Sequence, residues 1–265
     1  MLYVAVATRA FRRYATYRAA TLAGIFTNSV FGVIYSWAYL ALWHQRPHAG
    51  GYDATDAVTY VWIGQALLMT VALWGGGSTD DLADRIRSGD VAIDLYRPVS
   101  LLGWYLAADL GRAAYHLLTR GLAPTVVGWL LFDLRWPGSP AAGLGVLVAV
   151  ALAVVVSFAV RFLFAASAFW LLDAQGARMV GAVLALFWSG MVLPLVIFPG
   201  ALREVALALP WASYLQTPAD IWLGKRTGWD LLAGLGRQAL WALGLLGCCR
   251  LVLRAATRRL VVQGG

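Results

Sequence analysis

Long apolar runs separated by short polar stretches set the pattern of this chain. A hydrocarbon core takes about 20 apolar residues to cross. Runs of that order lie at 21–43, 58–75, 141–163, 179–198 and 231–250. A sixth, over 113–132, belongs to a weaker stretch from 101 that Arg112, His116, Arg120 and Pro124 interrupt.

Arginine placement decides whether that weaker run crosses, because loops on the cytoplasmic side are enriched in Lys and Arg. Six crossings with both termini inside place 15 basic residues inside, from Arg9 to Arg259, and only Arg46, Arg135, Arg203, Lys225 and Arg226 outside. Omitting the third span would put the four C-terminal arginines outside. The pattern therefore predicts an all-α, six-span protein of the inner (cytoplasmic) membrane, a single transmembrane domain over 1–265. Residues 1–20 carry Arg9, Arg12, Arg13 and Arg18 among Phe11, Tyr14 and Tyr17, the mark of a basic amphipathic helix lying on the inner leaflet. The 101–112 stretch has a similar interfacial character. Residues 199–230, with Pro199, Pro210 and Pro218, read as short re-entrant helices on the outer side.

Composition fits lipid as the solvent. The chain of 265 residues is 61 % hydrophobic and 13 % charged, about half the charge of a soluble domain, and its mean hydropathy is +0.70. A net charge of +8 would point to nucleic acid in a soluble protein. Here the arginines flank apolar runs, so they set topology and imply no nucleic-acid partner. Cys248 and Cys249 are adjacent and read as reduced packing residues. The basic region through Arg18 and the long run after it do not form a signal peptide. His44 and His48 lack a third ligand, and no nucleotide-binding, nucleophile or metal motif is present. The expectation is no enzyme, no cofactor and no metal; any ATP would be hydrolysed by another chain.

One short segment departs from this pattern. Residues 80–100 hold five acids and three arginines. Ser78 and Asp81 have capping-box spacing, Asp81–Arg85 and Asp84–Arg87 are spaced for helical ion pairs, and Gly89 is a natural stop. A self-stabilised helix over 79–88 follows, with Leu82 and Ile86 as an apolar knob. Pro98 then ends a Val91–Tyr96 segment. Either this helix merely separates two spans, or the knob enters a groove of a partner.

The run IRSGDVAIDLYRPVSLLGWYLAADLGR, residues 86–112, resembles the signature of ABC-2-type permeases, in the six-span group related to drug and viologen exporters. The matching places are Ile86, Gly89, Leu95, Arg97 and Pro98. PADIWLG, residues 218–224, resembles the same group's stretch before its last span. The resemblance implies that 79–98 is a coupling element seated in an ATP-binding subunit. Asp81, Leu82, Asp84, Arg85, Ile86, Arg87, Gly89, Asp90, Leu95, Arg97 and Pro98 would then form the contact. It also implies two ATP-binding subunits and a second permease, the same chain or a related one.

In the first span Gly24, Asn28, Gly32 and Ser36 make an i+4 ridge that lets another helix approach, with Asn28 worth about 0.6 kcal/mol across it. That helix belongs either to the same chain or to a second permease; the resemblance favours the second, together with Trp188, Ser189, Met191 and Pro194 of span five. Gln65, with Tyr60, Trp62 and Trp74 in span two, suits a hydrophobic or cationic small molecule on a pathway. Arg161 and Asp173 bracket an apolar run; Arg161 is expected to snorkel at the inner interface, or, if span four starts later, to lie inside the membrane as a functional site needing a partner. Asp109 and Arg112 read as a surface pair. The function expected is an exporter permease, in membrane lipid, driven by a separate ATPase. Alternatives are an ion-driven secondary transporter, a membrane-embedded lipid enzyme and an assembly subunit without a pathway.

Overall fold

The computed structural model describes residues 1–171 and 174–258; Asp173 and Arg259 lie outside the described residues. Every regular element among the described residues is helical. Among the described residues, three helices are long and apolar enough to cross a membrane: α2 (Arg18–Gln45), α8 (Pro140–Ala166, with a short 3-10 extension to Phe169) and α12 (Gly228–Thr257). The 27 residues of α8 extend about 40 Å and define two ends, one at Pro140 and one at Ala166.

Helix α1 (Leu2–Ala15) is amphipathic, and its apolar face lies along α6 (Leu101–His116). Gly111 makes this approach possible, because a Cβ there would collide with the carbonyl of Ala7. Phe11 meets Tyr115 edge-on, ring centroids 5.4 Å apart. The boundary expected at 112 is absent. Helix α6 runs through it into a π-helical turn, Leu117–Gly121, and then α7 (Leu122–Leu131). Pro124 accounts for the turn. It has no N–H for the Arg120 carbonyl and would press on it, and one extra residue in the turn relieves both.

The second apolar run forms a helix shorter than the run itself. Helix α3 (Ala54–Leu68) starts at a capping box in which Asp53 Oδ1 accepts from the Asp56 amide at 2.7 Å. It ends seven residues before the expected position 75. Residues 69–77 leave the helix, with Ala72 at φ 49° and Gly75, Gly76 and Gly77 at 83°, 91° and 91°. Three successive glycines remove the penalty for that backbone. Next come α4 (Ser78–Ser88) and α5 (Val91–Leu95).

The fifth apolar run also stops early. Helix α9 (Gln175–Trp188) gives way to an irregular stretch carrying Gly190, Pro194 and Pro199, then α10 (Gly200–Ala208) and α11 (Gln216–Trp222). This segment folds back into the bundle: Tyr214 packs in one buried cluster with Val71, Ala153, Val156 and Ala242. Gln238 of α12 secures it by donating to the carbonyls of Ala149 and Ser213 at 3.2 and 3.0 Å.

Candidate functional site

The charged segment forms the helix its sequence predicts, held differently from the way its spacing implies. Gly77, at φ 91°, is the N-cap of α4, and Ser78 donates instead to the Tyr105 carbonyl at 3.1 Å. Arg85 pairs with Asp94 of α5 at 2.5 Å rather than with Asp81, and that hydrogen bond raises the Arg85 pKa. Asp81 meets Arg13 of α1 at 3.3 Å, and Asp80 meets Arg178 of α9 at 3.0 Å. No ion pair forms between Asp84 and Arg87, and both stay exposed. Pairs within an exposed helix are worth only a few tenths of a kcal/mol, so longer-range partners displace them readily. Gly89 ends α4 at φ 83°, as its position predicts.

The apolar knob is likewise reassigned. Leu82 is 0 % exposed, packed with Ala83 in a cluster containing Phe158, Phe162, Ala165 and Cys249 from α8 and α12, and Ile86 and Leu95 lie partly buried against it. Leu82 therefore anchors α4 to its own chain and cannot enter a partner's groove. The face turned outward carries Ile93 at 57 % and Tyr96 at 77 % exposure, with Asp84, Arg87, Asp90, Arg97 and Pro98 around them. A cleft of about 450 Å³ lined by Asp84, Arg85, Asp94, Arg97, Trp104 and Tyr105 separates this face from the start of α6. Apolar i, i+4 spacing marks an anchor and a docking knob alike, so the sequence alone does not show that Leu82 and Ile86 face inward.

Directly beneath α4 lies a polar cluster that the sequence reading dispersed. Asp109 is fully buried and accepts from Arg112 at 2.8 and 3.2 Å and from Arg161 at 2.7 and 3.4 Å. Asp109–Arg112 is thus an interior pair, and Arg161 turns to a carboxylate instead of snorkelling. The reason is the broken end of α3, whose buried carbonyls lose their helical donors and must find others in the protein. Arg112 donates to the carbonyls of Met69 and Thr70 at 2.6 and 2.9 Å, Arg161 to that of Gly76 at 3.3 Å, and Ser157 to that of Val71. Arg161 also donates to Thr79 Oγ1 of α4 at 3.2 Å. The signal available in the sequence was the Gly75–Gly77 run, which leaves backbone groups that require partners.

A second polar cluster occupies the opposite end. Gln216 donates to Asp220 at 2.9 Å and to Tyr52 at 2.8 Å and accepts from the Leu195 amide at 2.7 Å. Tyr52 donates to Asp220 at 2.5 Å, and Tyr60 lies 3.1 Å from Gln216. Arg226 reaches Asp220 at 3.4 Å. This gives the PADIWLG stretch a structural role, the tie between α11 and α3.

The small-residue ridge of α2 turns inward. Asn28 donates to the Gln65 carbonyl at 3.2 Å, Gly32 faces the Trp62 ring, Gly24 faces the Arg120 guanidinium, and Ser36 is fully buried. Its own chain fills the ridge, so the close approach these small residues allow is made within the subunit. Gln65 and Met191, far apart in sequence, line one narrow aromatic pocket with Tyr35, Tyr39 and Tyr60. Ser189 is buried, Trp188 packs on the Leu195 cluster, and Trp74 is exposed; none of these reaches the pocket. Trp62 instead lines an apolar cleft of about 580 Å³ between α3, α6–α7 and α8.

No curated protein and no solved structure matches the chain. The profile of the ABC-2 family transporter proteins matches residues 22–264, a range that includes all but the first turn of α2, the α4–α5 element, the polar cluster beneath it and the PADIWLG stretch. With its helical membrane architecture, that match shows that this chain belongs to the ABC-2 family of transporter proteins.

Proposed function

We propose that the chain is the permease subunit of an ATP-driven exporter. It crosses the inner membrane six times, with both termini cytoplasmic, and carries out no catalysis itself. Two copies of a separate ATP-binding subunit drive it, and a second permease, the same chain or a related one, completes the transporter. The observation that carries this reading is the construction of α4–α5. Its inner face is anchored to α1, α6, α8 and α9, while its outer face offers Ile93 and Tyr96 in a charged rim. An isolated loop helix has no need of four anchors; an element that receives force does.

The cargo proposed is a hydrophobic or cationic small molecule. Three tyrosines, the Met191 thioether and the unpartnered Gln65 Oε1 around one pocket suit a flat cation. The pocket holds only about 10 Å³, so loading requires the helices to part. Against an ion-driven alternative, the buried acids are each paired with a cation: Asp109 with two guanidiniums, Asp56 with Arg135 and Lys225, and Asp220 with Arg226.

Inverted membrane vesicles containing the chain with its partner subunits test the reading, using a fluorescent hydrophobic cation. Uptake that requires ATP and survives dissipation of the proton gradient is expected. Uptake that follows the gradient and ignores ATP would overturn it in favour of a secondary transporter.

A further inference from the structure

The segment between the second span and α4 is a joint held by side chains from elsewhere. Four of its carbonyls, those of Met69, Thr70, Val71 and Gly76, are capped by Arg112, Arg161 and Ser157. All three donors depend on helices other than α3: Arg112 projects from α6, and Ser157 and Arg161 from α8. One carboxylate orients both guanidiniums, since Asp109 binds each through two oxygens. Gly77 lies so close to this centre that a Cβ would sit 2.8 Å from Arg112 Cδ and 3.3 Å from Asp109 Oδ1. From the same centre Arg161 reaches Thr79, in the first turn of α4.

Resting on the permease reading above, we propose that Asp109 is the positioning residue of a transmission joint. It locks Arg112 and Arg161 onto the unwound end of α3, so that displacement of α4 is passed to α3, α6 and α8 together. Without the carboxylate, the two like charges would repel at close range inside the protein, and each would follow its own carbonyls. The joint has the form a switch needs: a non-helical segment whose backbone partners are side chains able to exchange. Asp109 touches neither the proposed cargo pocket nor the exposed face of α5.

The test uses the chain assembled with its ATP-binding partner in lipid nanodiscs, with Cys248 and Cys249 replaced by serine. Spin labels placed by Gly138→Cys and Arg203→Cys, both exposed at the end far from α4, report the distance there. In this background ATP is expected to shift the distance distribution. In Asp109→Asn the partner should still co-purify and hydrolyse ATP, while the far-end shift is lost. A merely structural role would lower stability and yield without separating hydrolysis from the shift. An ATP-induced shift in Asp109→Asn equal to the background would overturn the proposal. Should Asp109→Asn not fold, Thr79→Val decides: it leaves the cluster intact but removes its bond to α4, and an undiminished shift there overturns the proposal equally. If the background itself binds no ATP-hydrolysing partner, the permease reading has failed, a result distinguishable from failure of the joint.

Discussion

Asp80, in the first turn of α4, receives the guanidinium of Arg178 at 3.0 Å, although 98 positions separate them. The contact joins the charged element to α9, the helix that leads into the segment folded back from the far end. Together with Arg13–Asp81, Arg161–Thr79 and Ser78–Tyr105, it means that α4 cannot shift without pulling on four other helices.

The strength of that contact should be modest. Asp80 and Arg178 are 39 % and 28 % exposed, and partly solvated pairs contribute about 0.2–1 kcal/mol. A double-mutant cycle over Asp80→Ala and Arg178→Ala, read by unfolding in mixed micelles, should return a coupling energy in that range and one that falls as salt rises.

Anchor and docking face should separate cleanly by mutation. Leu82→Ala empties a fully buried site and is expected to cost about 2–5 kcal/mol. Ile93→Ala and Tyr96→Ala remove exposed groups and should stay within about 0.5 kcal/mol. Thermal unfolding of the three purified variants checks the order; a Tyr96 variant as unstable as the Leu82 one would mean that α5 is buried against something in the isolated chain.

The joint after α3 should not tolerate a side chain at Gly77. Its φ of 91° is strained for any L-residue, and a Cβ would press on Arg112 Cδ at 2.8 Å. Gly77→Ala should cost more than about 1 kcal/mol, whereas Gly76→Ala, at the same φ but in open space, pays only for the backbone. The difference between the two melting temperatures isolates the clash with the cluster.

Packing of the α2 ridge within its own chain predicts a defect in the single subunit. In Gly32→Val the added Cβ would fall 2.7 Å from the Trp62 ring, an overpacking expected to cost about 1–3 kcal/mol. Lowered stability with unchanged subunit stoichiometry, measured by light scattering in detergent, is the expected result. Dissociation of a permease pair at unchanged stability would restore the ridge to an interface between chains.

The long apolar runs were legible because composition alone decides a 28-residue lipid-facing helix such as α2. The ends of α3 and α9 were not, since apolar residues continue past Leu68 and Trp188 while the backbone leaves the helix. Glycines at 75–77 and at 190, with Pro194 and Pro199, mark those breaks only once the carbonyls they free are seen to need donors. Local stops such as Gly89 read correctly, because a left-handed glycine needs no tertiary context. Charge pairing read poorly: Asp81, Arg85 and Asp109 each had a plausible neighbour three or four residues away, and only Asp109 kept it. Tertiary partners from 9 to 68 positions away took Arg85 and Asp81, and sequence spacing carries no record of them. The signature marked a segment that does fold as a separate charged element, but its spacing did not tell that Leu82 faces inward.

Co-purification from the native membrane tests the central claim most directly. The chain would be isolated in mild detergent as wild type, as Ile93→Asp with Tyr96→Asp, and as Asp84→Ala, with bound ATP hydrolysis measured in each preparation. The account predicts an ATP-hydrolysing subunit with the wild type, a full loss of hydrolysis in the double variant at unchanged melting temperature, and at most a partial loss in Asp84→Ala. Equal hydrolysis in the wild type and the double variant would contradict it, because the partner would then dock elsewhere than on the exposed face of α5.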